Sequence, residues 1–278
     1  MSAQFSDHRS FEIIKVNAYS SRAARSFKSF IGELTAVAAG LHVGIHEVIP
    51  IIEANDVADP WKAMAEKHGV VVDGLRSQKI IQSTARLNVV SLYSGFDLFL
   101  EEVRDDFFRL NGRPWVQHDG DGPFTSLARN TLSRPEVHTA RLGKHRIAAM
   151  DYYRLVRNAI AHPSKDSLEK AKEYYDKNAE LLDQARVEYG MQSAPNSINQ
   201  LSFHDVKLLA QVGLALTKAI DAELDPGDER LFVMLELKQS DLTHSSQRKR
   251  NAWIGKLRTD YGVSVARAEG ILDKFLAH

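Results

Sequence analysis

The chain has 278 residues, and 44% of them are hydrophobic, enough to fill a sizeable core. Lys+Arg and Asp+Glu are equal at 36 each, so any affinity for nucleic acid must come from local clustering and not from an overall field. With no cysteine, disulfides, thiolate nucleophiles and cysteine zinc sites are all excluded.

In chain order, Met1 to Lys15 is polar and lacks the apolar core of a signal peptide. A first helix is predicted from Ser21 to Ala39. The greasiest window, Thr35 to Ile45, is interrupted by Gly40, His42 and Gly44, so no membrane span is expected. Pro60 suits the first turn of a short helix to His68, with Gly69 as its stop. The strongest periodicity runs from Ile80 to Leu110, where Ile81, Ala85, Val89, Leu92, Phe96, Phe99, Val103, Phe107 and Leu110 recur at steps of three and four. Such spacing makes one apolar stripe, so this segment is read as the central helix of a bundle.

Asn111 to Pro123 is rich in Gly and Pro and reads as a loop. Helices follow at Arg146 to His162, Ser167 to Tyr189 and Ser202 to Leu224, with a polar linker at Ser193 to Asn199. Asp225 to Asp228 is a second break. Beyond it, Leu231 to Leu237 fits strand or helix, and a basic helical tail runs to His278. The expected fold is therefore all-α: a helical N-terminal extension (1–79), a bundle core (80–227) and a small basic C-terminal segment (228–278).

The chemistry concentrates at Arg157, Asn158 and His162. On a helix Asn158 and His162 share a face, so the amide can orient the imidazole while the longer Arg157 swings toward the same space. Pro163 disfavours helical geometry at His162, which places the ring at a helix end, where the carbonyls favour its protonated form. An imidazole and a guanidinium are the groups that cleavage of RNA by its own 2′-hydroxyl requires: a base and acid for two protons, and a planar cation for the phosphate. From Ala128 to Pro163 the basic residues Arg129, Arg134, Arg141, Lys144, Arg146, Arg154 and Arg157 face only Glu136 and Asp151, which predicts a phosphate-binding surface. A plain packing role for an Arg and a His on one helix stays open beside this.

Arg157, Asn158 and His162 resemble the Arg-x-x-x-x-His motif of the HEPN superfamily, and the segment from Leu87 to Val103 is similar to the long helix that precedes that motif. The resemblance covers about residues 80 to 225. It implies a HEPN-like helical bundle that forms a homodimer with two motifs facing a shared cleft. It also implies a cytoplasmic, metal-independent endoribonuclease leaving 2′,3′-cyclic phosphate and 5′-hydroxyl ends, of the kind found in toxin and antiviral systems and held by an antitoxin or other inhibitor protein. Carried over by position, His162 is the acid-base residue, Arg157 the phosphate ligand and Asn158 its polar neighbour. Asp97 and Arg154 are supporting residues, Arg141, Lys144 and Arg146 bind RNA, and no cofactor or metal is involved. Related toxins often carry a tyrosine two residues after the histidine. Here that position is Ser164, so control through such a tyrosine is not expected. The rival class is a non-catalytic helical module that binds a partner protein or a nucleotide.

His42 and His46, four apart, are set aside as a metal site because no third ligand is evident and Gly40 and Gly44 weaken a helix there. The sequence also has no phosphate-binding P-loop and no Gly-x-Ser-x-Gly elbow.

Overall fold

Eight of the nine apolar positions that define the central stripe, from Ala85 to Leu110, are buried, as a helix burying one face requires. In a computed structural model of the chain, which describes residues 19–131, 134–237 and 246–276, that helix spans Ser77–Asn111. The described residues form twelve helices and no strand, so the protein is all-α. In chain order they are α1 (Arg22–Glu53), α2 (Pro60–Lys67), α3 (Ser77–Asn111), α4 (Pro123–Asn130), α5 (Pro135–Leu142), α6 (Lys144–Ala161), α7 (Lys165–Lys177), α8 (Ala179–Glu188), α9 (Phe203–Glu223), α10 (Gly227–Val233), α11 (Gln247–Tyr261) and α12 (Val265–Leu276). Met1 to Lys15 and His278, which the sequence reading covers, lie outside the described residues.

The chain divides into two compact units. One is formed by residues 28–97 and 143–216, the other by 19–27, 98–142 and 217–276. Both are assembled from stretches distant in sequence.

Several boundaries differ from expectation. Helix α1 continues through Gly40 and Gly44 to Glu53 and even contains Pro50. Each glycine costs only about 1 kcal/mol, which the surrounding turns absorb. By length and composition α1 is apolar enough to cross a membrane. Its most apolar window has a mean hydropathy of 1.5 and is 11% buried, and Val37, Leu41, Val43 and Ile51 are exposed. The segment read as one helix from Ser167 to Tyr189 is two, α7 and α8, separated at Asn178, whose side-chain amide donates to the Tyr174 carbonyl (2.9 Å). The short helices α4 and α5 fall in stretches where the sequence predicts none. Leu231 to Leu237, which fits strand or helix by sequence, ends α10 and then turns.

The unit of residues 28–97 and 143–216 positions the candidate site. Its helix α6 buries Ala148, Ala149, Met150, Tyr152, Tyr153, Val156 and Ala159, and α7 and α8 pack against it. Gly95 of α3 lies against the Phe30 ring, and a β-carbon at Gly95 would run into that ring, so glycine is what allows α1 this close. At the start of α9, Asp205 is fully buried. It accepts from Tyr153 Oη (2.9 Å), the Asn196 backbone (2.8 Å) and side chain (2.7 Å), and the Ser202 backbone (2.8 Å) and hydroxyl (3.2 Å). This carboxylate fastens the 193–202 linker to α6 and α9.

Candidate active site

Helix α6 stops at Ala161 because Pro163 follows. His162 takes the cap position with φ −130° and ψ 72°, and its backbone N–H still donates to the Asn158 carbonyl (2.8 Å). Ser164 caps α7 in a reciprocal box with Ser167, and the Ser167 hydroxyl donates to the His162 carbonyl (3.1 Å). The three-residue turn carrying the histidine is thus fastened at both ends. Its side chain is exposed, and the ring meets no hydrogen-bond partner among the described residues. Ser164 serves as this helix cap.

Arg157 lies one turn back on α6 and is oriented from several sides. Its Nη2 donates to the Asp97 carboxylate of α3, forming an ion pair, and its Nη1 donates to Asn158 Oδ1 (3.1 Å). The guanidinium carbon stands 5.4 Å from the centre of the Tyr93 ring. Nε is buried with no hydrogen-bond partner among the described residues, while the side chain as a whole stays 25% exposed. Asp97 and Arg157 are therefore brought together as the sequence suggests. Asn158 has a different partner from the one expected, because its carbonyl oxygen serves the guanidinium and not the imidazole.

Tyr93 is the residue that sequence reasoning missed. It sits four positions before Asp97 on α3, and that i, i+4 relation was the available signal. Burial, with the Asp97 charge second, pushes its phenol well above the usual range, so it stays neutral beneath the cation. Arg154 turns away to Asp151 (3.1 Å), whose carboxyl is pushed up by burial.

The expected basic surface is largely neutralised. Arg146 pairs with Glu188, which also holds His145. Arg141, which belongs to the other unit, pairs with the buried Glu223 (2.5 Å), and Arg129 pairs with Asp121 (2.8 Å). Lys144 is exposed with no ion-pair partner among the described residues, so of Arg141, Lys144 and Arg146 it alone presents an uncommitted charge. Glu188 and Glu223 are 42 and 82 residues from their arginines, too far for a local charge count to reveal.

His42 stacks on Phe203 (ring centres 4.6 Å apart, 13° between planes) and meets His46 edge-on (4.4 Å). Burial, then the neighbouring His46 and His204, push its imidazole down. No group of three or more metal-ligating side chains occurs among the described residues.

Asp97 holds the Arg157 guanidinium, and this predicts a selective effect. On the expectation from sequence that this site cleaves RNA, Asp97→Ala should slow single-turnover cleavage by about 10²-fold, the scale for a misplaced catalytic group. Because the pair is partly solvated, the variant should lose no more than about 1 kcal/mol of stability. Undiminished cleavage with a large drop in melting temperature would make Asp97 purely structural.

Compared with models of protein families, with curated proteins and with solved structures, the chain matches none.

Proposed function

We propose that the protein is a metal-independent endoribonuclease of the HEPN type that acts on single-stranded RNA. The observation that supports this best is the arrangement at the end of α6, where an exposed imidazole at a fastened turn follows a guanidinium held by Asp97 and Asn158. In this reading His162 removes the proton from a ribose 2′-hydroxyl. The 2′-oxygen bonds to phosphorus, and the bond from phosphorus to the 5′-oxygen breaks. That oxygen leaves with a proton from an imidazolium, which a homodimer supplies from the second copy's motif. The unshared N–H groups of Arg157 offset the charge gathering on the phosphate oxygens. Side chains provide base, acid and cation, so the chemistry requires no metal.

By the same resemblance the protein works in the cytoplasm as a toxin or phage-defence effector restrained by an inhibitor protein. The close engagement of Arg157 by Asp97, Asn158 and Tyr93 also suits a second reading, a non-catalytic helical module in which this residue only packs. Incubation of the purified protein with labelled single-stranded RNA in excess EDTA separates the two. Fragmentation is expected, and RNA left intact would favour the packing role.

A further inference from the structure

The C-terminal helices carry a cationic face that the α6 site does not use. Leu231, Leu235, Leu257, Ile271 and Leu272 form a shared core beneath α10, α11 and α12. Arg267 fastens α12 to Asp225 (2.5 and 2.9 Å) and Asp228 (2.8 Å). Helix α11 buries Leu257 and Tyr261, half-buries Trp253, Ile254, Gly255 and Lys256, and leaves Arg248, Lys249, Ala252, Arg258 and Thr259 exposed. Along the middle of that outer face run Ala252, Gly255 and Thr259. A β-carbon built at Gly255 would meet nothing within 4 Å. Arg248 heads that row at helical spacing, Lys249 and Lys256 stand on one side of it and Arg258 on the other.

Two features bear on what this face can bind. Arg250 is paired with Asp273 and Arg267 with Asp225 and Asp228, just as Arg129, Arg141, Arg146 and Arg154 all have carboxylate partners. Arg248, Lys256 and Arg258 have none among the described residues, in a chain whose formal charge is zero. The face also opens into a cleft of about 490 Å³ lined by Gly255, Arg258, Thr259 and Ser264, at the first turn of α12. Ser264 Oγ accepts from the Arg267 N–H there (3.2 Å), while the earliest N–H groups of a helix have no partner within it.

We propose that this face binds the sugar–phosphate backbone of single-stranded RNA, a role that rests on the reading of the protein as an RNA-cleaving enzyme. The small central residues let a backbone approach the helix closely, and the flanking cations meet its phosphates. Trp253 is half-buried against the core and the contacts run to phosphates, so binding is insensitive to sequence and depends on salt.

The test uses full-length protein carrying His162→Ala, so that binding is read without cleavage. Anisotropy of a labelled single-stranded RNA is followed from low to high salt, with and without Arg248→Gln, Lys256→Gln and Arg258→Gln together. The triple variant should bind at least about tenfold more weakly, and its log–log salt slope should be shallower by about 2, at roughly 0.7 for each phosphate no longer neutralised. Each single replacement should reduce the slope by about 0.7. Unchanged affinity and slope, no RNA binding by the parent, or tighter retention on anionic lipid vesicles than on RNA would each overturn the proposal. The two readings fail separately. Cleavage by the native protein with no loss of binding in the triple variant removes only this surface, whereas charge-dependent binding without native cleavage removes only the nuclease.

Discussion

Replacing His162 with alanine is expected to lower RNA cleavage by at least about 10²-fold, the range for removing a general acid–base group, while the helical circular dichroism and melting temperature stay as they were. The expectation of an intact fold follows from the bonds His162 makes. Its backbone N–H and carbonyl are the groups that join α6 to the following turn, and alanine keeps both. The imidazole is exposed and bonds to none of the described residues, so its loss should change stability by no more than about 0.5 kcal/mol. Cleavage retained at the native rate would remove the histidine from the chemistry. Cleavage lost together with the helical signal would make it a structural residue.

The largest stability effect is expected at Asp205. Burial pushes its carboxyl upward, yet five hydrogen bonds converge on its two oxygens. Asp205→Ala leaves the Tyr153 hydroxyl and the backbone N–H groups of Asn196 and Ser202 without an acceptor. At about 1–3 kcal/mol for each buried group left unpaired, the loss should reach about 3–5 kcal/mol and lower the melting temperature by about 10 °C. Thermal melting measures this directly, and a drop smaller than about 2 °C would mean that water or a repacked linker replaces the carboxylate.

These two residues also mark where the sequence was informative. The periodicity of α3 and the proline after His162 set helix position and helix end through local sterics, which a sequence displays directly. The pairing of Arg157 with Asp97 came from the resemblance alone, since helix patterning shows neither residue facing the other. What could not be read depends on contacts distant in the chain. Asp205 shows nothing locally of the Tyr153 hydroxyl 52 residues away, and the carboxylates that neutralise Arg141 and Arg146 are on other helices. Helical spacing alone assigns Asn158 to the imidazole, whereas the neighbouring guanidinium, with a longer reach, takes its oxygen. Helices α4 and α5, of eight residues each, carry too few turns for a periodic signal.

The chemistry of the cut ends tests the central claim most directly. Mass spectrometry of RNA fragments made in the presence of EDTA should find 2′,3′-cyclic phosphates upstream of each break and 5′-hydroxyls downstream, the products of attack by the neighbouring 2′-oxygen. Fragments ending in 3′-hydroxyl and 5′-phosphate would show that water was the nucleophile, and would contradict the roles given to His162 and Arg157.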